Sequence, residues 1–337
     1  MLPTGINRDS SMTELVQTPQ KNKSRIEVID AARGLALVAM AIYHFAWDLE
    51  FFGYATPGMT ADGGWRIFAR SIASSFLFLV GFSLYLAHWR SVRWRPYGWR
   101  MAQVAGAAAA ITLVTFFATP DAFIFFGILH HIAAASVIGL FFLRVPALAL
   151  VAVAAVVIAL PNLWRSDVFT TPLLSWIGLA TANPRSNDFV PLFPWFGAVL
   201  LGMAAAKYAL ATGWTDRAAG KELARWTRPF QFAGQHSLAV YLLHQPVLIG
   251  AIFLFSLIAP PQPQSPLAGF ERGCVAQCLD MQDAAFCEAY CGCVIDEIDQ
   301  SGRTKELFAS EADDATNAWL GTIAAQCSMS TGQGIDQ

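Results

Sequence analysis

Long apolar runs that carry no charge recur along this chain and constrain it more than any motif does. A bilayer core about 30 Å thick takes about 20 mostly apolar helical residues to cross. Candidate spans fall at 27–49, 66–89, 101–119, 123–143, 146–163, 189–207 and 230–258. The expected fold class is therefore all-α, a polytopic membrane helix bundle of about seven transmembrane helices. With 55% apolar and 14% charged side chains, the chain departs from a water-soluble domain. It carries no basic footprint for nucleic acid.

Lys and Arg gather on the cytoplasmic side of membrane proteins. Placing the N-terminus inside puts Lys21, Lys23, Arg25, Arg33, Arg90, Arg93, Arg95, Arg100, Arg144, Lys207, Arg217, Lys221, Arg225 and Arg228 on or near that side. Ahead of the C-terminal tail, only Arg66, Arg70, Arg165 and Arg185 fall opposite. The polar segment before Arg25 precedes the first span without a small-residue cleavage site, so that span is expected to be retained. The stretch 168–184 is uncharged but holds Pro172 and several hydroxyl residues; it is expected to re-enter or lie on the outer surface. Seven spans then place the C-terminal tail in the periplasm of a bacterial inner membrane.

All six cysteines lie in that tail: Cys274, Cys278, Cys287, Cys291, Cys293 and Cys327. From Glu271 onward the tail also holds twelve of the 24 acidic residues against three basic ones. An even, clustered set outside the cytoplasm is expected to form disulfides. Cys274 and Cys278 share one helical face, as do Cys287 and Cys291. A helical hairpin stapled by Cys274–Cys291 and Cys278–Cys287 leaves Cys293 for Cys327, one of fifteen pairings. A zinc site is the alternative, but the spacing is unusual for zinc and no histidine follows His244, so no metal is expected. The expected organisation is a disordered cytoplasmic segment over 1–24, a transmembrane domain over 25–258, a proline-rich linker over 259–270 and an acidic cysteine-rich domain over 271–337.

Ionisable groups within a span are costly and mark sites. In the first span, Asp30 and Arg33 are spaced to pair. Arg33 and His44, eleven residues apart, lie on one stripe roughly 16 Å apart along the axis. Asp48, four residues beyond His44, is placed to accept its ring N–H, which would fix the tautomer of a general base. The alternatives are an arginine reaching to headgroups and a histidine bonding between helices. His130 and His131 are adjacent and face different ways, so at most one points into a given cavity. Ser237, Tyr241 and His244 form a polar stripe suited to interhelical contact or to a substrate tunnel. Walker-type loops, HExxH and G-x-S-x-G are absent.

Four segments in order, IDAARGLALVAMAIYHFAWDL, FGILHHIA, DFVPLFPWFGAVLLG and GQHSLAVYLLHQP, resemble bacterial relatives of heparan-alpha-glucosaminide N-acetyltransferase, within the wider acyltransferase-3-like group. The resemblance covers about 25–258. It implies that an acyl group, most simply acetyl, passes from cytoplasmic acetyl-CoA or another acyl-CoA to a hydroxyl or amine of an envelope glycan or lipid-linked sugar at the other face. Arg33 and His44 match the Arg-x-ten-His pattern of the wider group. His44, Asp48 and Arg33 are then the catalytic candidates, and His130, Trp195, Ser237, Tyr241 and His244 the substrate-binding ones. The animal enzyme has asparagine at the position of His44, and its catalytic histidine falls at Ala55. The tail lies outside the resemblance. Membrane lipid and the glycan acceptor are the expected partners, with a homo-oligomer left open. The competing classes are a transporter or flippase of a lipid-linked sugar and a non-catalytic scaffold for the tail.

Overall fold

The computed structural model describes residues 26–56, 58–219, 221–261, 266–279, 282–308 and 314–334. The N-terminal segment over 1–24, with Lys21, Lys23 and Arg25 in and beside it, and positions 262–265 of the linker lie outside the described residues. The helices are α1 (Glu27–Phe51), α2 (Gly63–His88), α3 (Trp94–Ala118), α4 (Ile128–Phe141), α5 (Ala147–Leu163), α6 (Leu192–Ala211), α7 (Trp214–Ala219), α8 (Arg228–Gln235), α9 (Ser237–Ile258), α10 (Pro266–Cys278), α11 (Ala284–Ser301), α12 (Thr304–Leu307) and α13 (Asp314–Gly334). No strand occurs among the described residues. The protein is an all-helical membrane protein.

Five helices, α1, α2, α3, α6 and α9, are long and apolar enough to cross a bilayer. The other two expected spans correspond to shorter apolar helices, α4 and α5. The sequence places a span over 123–143, yet α4 begins only at Ile128. Residues 123–126 lie in the preceding turn and loop, where Val190 N–H donates to Phe126 O at 3.1 Å and Ser186 Oγ donates to Phe123 O at 3.0 Å. The stretch 168–184 forms short 3-10 turns at Asp167–Thr170 and Ser175–Ile177 and closes on itself through Ser166 N–H to Leu179 O at 3.0 Å.

Two compact bodies make up the molecule. The first comprises 26–41 and 68–244. Its centre is α6: half of the most apolar window of α6 is buried, against 11% for α3, so α6 is a core helix and α3 a lipid-facing one. In lipid, helices associate by close packing rather than by excluding water, and small residues bring backbones together. Gly81 of α2 lies against Val199 O of α6, while Gly202 of α6 lies against Phe78 O of α2; a Cβ on either would overlap that carbonyl. Gly34 of α1 and Gly234 of α8 make the same reciprocal contact with Phe230 O and Asp30 O. Lys207 donates to Leu143 O at 3.0 Å, and its ammonium stands 4.7 Å from the Tyr85 ring centroid.

The second body comprises 42–67 and 245–334. Near its chain crossing, Tyr54 OH donates to Ala259 O at 2.5 Å. Glu50 gathers the following loop by accepting from Gly58 N–H, from Thr60 N–H at 3.0 Å and from Thr60 Oγ at 2.8 Å. The tail packs α11 against α10 and α13 around Val294, Ile298, Ile323 and Cys327, with Phe270 and Trp319 closing over them. Asp283 caps α11, accepting from Phe286 N–H at 2.9 Å. The three disulfides are Cys274–Cys291, Cys278–Cys287 and Cys293–Cys327, the pairing that the helical spacing favours.

Candidate active site

Arg33 is the polar node of α1 in the first body. Its guanidinium donates to Asp30 Oδ1 at 3.3 Å, to Gly234 O at 3.2 Å and to Ser83 Oγ at 3.1 Å, joining α1, α8 and α2. The side chain is 18% exposed and that of Asp30 7%, so the pair is screened from solvent. The Gly34–Gly234 contact makes this geometry available, because a side chain at Gly234 would hold α8 away from Arg33.

The start of α4 carries a second polar group. Asp188 Oδ2 accepts the Ile128 N–H at 2.9 Å, a carboxylate at a helix N-terminus. Burial pushes the Asp188 carboxyl up, and the Ile128 hydrogen bond opposes that shift. Its charge also acts on Tyr241. His130 Nδ1 accepts from Gly127 N–H at 3.2 Å, which leaves the proton on Nε2, 3.0 Å from Thr112 Oγ; Thr112 in turn donates to Ile124 O at 2.7 Å. Both ring nitrogens of His130 are thus occupied in holding the α4 entry. His131 is fully buried, with Nδ1 at 3.1 Å from Val190 O and 3.2 Å from Pro191 O. Those carbonyls fix its proton on Nδ1, and Nε2 has no hydrogen-bond partner. The sequence does not distinguish the two rings; the acceptor carbonyls that do so lie about sixty residues away.

Tyr241 packs with Ala107, Ala108 and Leu129 where α9 meets α3 and α4. His244 Nδ1 lies 2.5 Å from Tyr241 O, and the two rings are 5.6 Å apart. Ser237 opens α9.

A cavity of about 1220 Å³ lies within the first body. Its polar lining, Arg70, Ser71, Ser74, Ser75, Asn162, Arg165 and Asn183, comes from the third and fourth turns of α2, the end of α5 and the loop before α6. Further along α2 and α6 the walls become apolar at Phe78, Leu79, Ala198 and Leu201. From Arg70 to Leu79 is nine residues, about 14 Å of helix. The result is a trough that carries two arginines beside apolar walls. Arg165 is fixed there by Nε donating to Pro161 O at 2.8 Å. Among the expected substrate-binding residues, Trp195 lines the trough. Arg70 and Arg165, which run against the cytoplasmic bias, also line it and were not among the expected site residues.

His44 and Asp48 lie in the second body. His44 is half-buried, with the Tyr43 ring edge-on at 5.7 Å. Asp48 is fully buried, and its hydrogen-bond partner is not the ring one turn back. Oδ1 meets Nε2 of Gln245 at 2.6 Å, and Oδ2 has no partner. Gln245, beside Pro246 in α9, reaches Asp48 instead. Among the described residues, no cluster of His, Cys, Asp and Glu is arranged to hold a metal.

Residues 25–246 match the family model for heparan-alpha-glucosaminide N-acetyltransferase, catalytic. No curated protein and no solved structure matches the chain.

Proposed function

Since the chain belongs to the heparan-alpha-glucosaminide N-acetyltransferase family, a family of membrane acetyltransferases, we propose that it carries an acetyl group from cytoplasmic acetyl-CoA to a hydroxyl or amine of an envelope glycan or lipid-linked sugar on the periplasmic side. The bias of Lys and Arg supports a cytoplasmic N-terminus in a bacterial inner membrane, and the three disulfides support an oxidising compartment for the tail.

The observation that carries this reading is the trough, inside the family-matched region. An aromatic face at Trp195 suits a sugar ring, the arginines suit an anionic group, and the apolar walls suit a hydrocarbon chain. Arg33 steadies the donor. His44 takes the proton from the acceptor as its oxygen or nitrogen attacks the thioester carbonyl. The carbon–sulfur bond then breaks, and the imidazolium returns the proton to the CoA thiolate. Transfer of the acyl group alone spares the bilayer the desolvation of CoA phosphates.

The test is transfer of label from acetyl-CoA to a glucosamine-bearing acceptor in proteoliposomes. His44→Ala is expected to lower turnover by about 100-fold to 10,000-fold, the usual worth of a general base. Unchanged turnover removes His44 from the reaction. Movement of the acceptor without its acetylation favours a transporter.

A further inference from the structure

Among the described residues of its own body, Asp48 has no cation beside it that would balance a charge. Within the same body, Glu50 is engaged with the 58–60 turn, Tyr43 OH donates to Thr60 O at 3.4 Å, and Arg66 pairs with Asp62 at 3.3 Å. His44 lies one turn back on α1, and α9 from Gln245 to Ile258 contains no titratable residue. An ionised carboxylate with zero exposure requires a counter-charge or a full set of donors. Asp48 receives one donor.

The contact with Gln245, Nε2 to Oδ1 at 2.6 Å, has a further property. On each side one acceptor oxygen is left over: Asp48 Oδ2 and Gln245 Oε1 are both buried and unpartnered. Two groups joined by one hydrogen bond, each keeping a buried spare acceptor, are short of one proton between them. An unsatisfied buried acceptor costs about 1–3 kcal/mol, and here one proton would satisfy two.

We propose that Asp48 is a neutral carboxylic acid, joined to the Gln245 carboxamide by a pair of hydrogen bonds: the acid O–H donates to the amide oxygen and the amide N–H to the acid carbonyl. Gln245 is thereby a positioning residue, clasping α1 to α9 without a net charge. A neutral Asp48 also does not hold a proton on His44 by charge, so the imidazole keeps the lone pair that a base requires.

Infrared difference spectroscopy on the purified full-length protein at neutral pH, without donor or acceptor, tests this and does not depend on the transfer reaction. The expected result is a carbonyl-stretch band of a protonated carboxylic acid that moves on hydrogen–deuterium exchange and disappears in Asp48→Asn. Gln245→Leu is expected to move that band to the frequency of an acid lacking its amide partner. If the native protein shows no such band, or if the band survives Asp48→Asn, the neutral acid is overturned. A band present but unmoved in Gln245→Leu overturns the clasp. Should Asp48→Asn fail to fold, Asp48→Glu serves in its place: a shifted band supports the assignment and an identical band refutes it.

Discussion

Asp188 accepts the amide proton of Ile128 at 2.9 Å, so a carboxylate sixty residues further along the chain caps α4. Its pKa is raised by burial in the fold. A raised carboxyl contributes its full stability below the unfolded-state value; that contribution is lost as pH rises up to the folded value. Asp188→Asn keeps an acceptor oxygen for Ile128 but cannot ionise. Thermal melts across the acid range are expected to show a flatter pH dependence for this variant. Asp188→Ala, which removes the cap, should cost about 1 kcal/mol.

The Arg33 guanidinium serves three acceptors on three helices. Arg33→Ala is expected to lower stability by about 1–3 kcal/mol, since Asp30, Ser83 and the Gly234 carbonyl all lose a donor. Arg33→Lys should recover part of this, because an ammonium lacks the fork that reaches all three. Thermal unfolding in detergent, measured beside transfer activity, checks both variants.

Gly234→Ala puts a methyl group into the Asp30 carbonyl and should cost about 1–3 kcal/mol. Gly106→Ala in α3, where an added Cβ meets nothing within 4 Å, should be neutral or stabilising by up to about 1 kcal/mol. Equal melting shifts in the two variants would contradict the close α1–α8 contact.

The Cys293–Cys327 bridge closes a separation of 34 residues, whereas Cys278–Cys287 closes 9 and is nested inside Cys274–Cys291. By loop-closure entropy, losing the first costs about 4 kcal/mol and losing the second about 2.5 kcal/mol or less. Urea melts of the paired Cys→Ser variants, followed by a probe near Trp319, are expected to rank them in that order.

What the sequence revealed and what it hid follow from the range of the interactions. The apolar runs locate seven helices, because helical hydrogen bonding is local and the bilayer demands apolar surface. The disulfide framework is legible because the four-residue spacing of two cysteine pairs defines faces that can meet, while the spacing leaves the pairing one of fifteen until the fold selects it. The shortening of α4 is not legible: it depends on Asp188 and Val190, far along the chain. The same holds for His130 and His131, adjacent residues whose partners come from different segments, and for Asp48, whose partner Gln245 lies 197 residues away rather than one turn back. Arg70 and Arg165 stand out in the sequence only as exceptions to the cytoplasmic bias; the fold makes them neighbours of one cavity.

The loop passages at 122–126 and 186–190 are stitched by Asn187 N–H to Ala122 O at 2.9 Å, by Val190 N–H to Phe126 O and by the Ser186 hydroxyl. Phe189 and Pro191, at the end of that stitched piece, line the trough. A rim bound to its neighbour at several points is held in one shape, so a ligand of the trough, as proposed above, is expected to arrive in a single kinetic step.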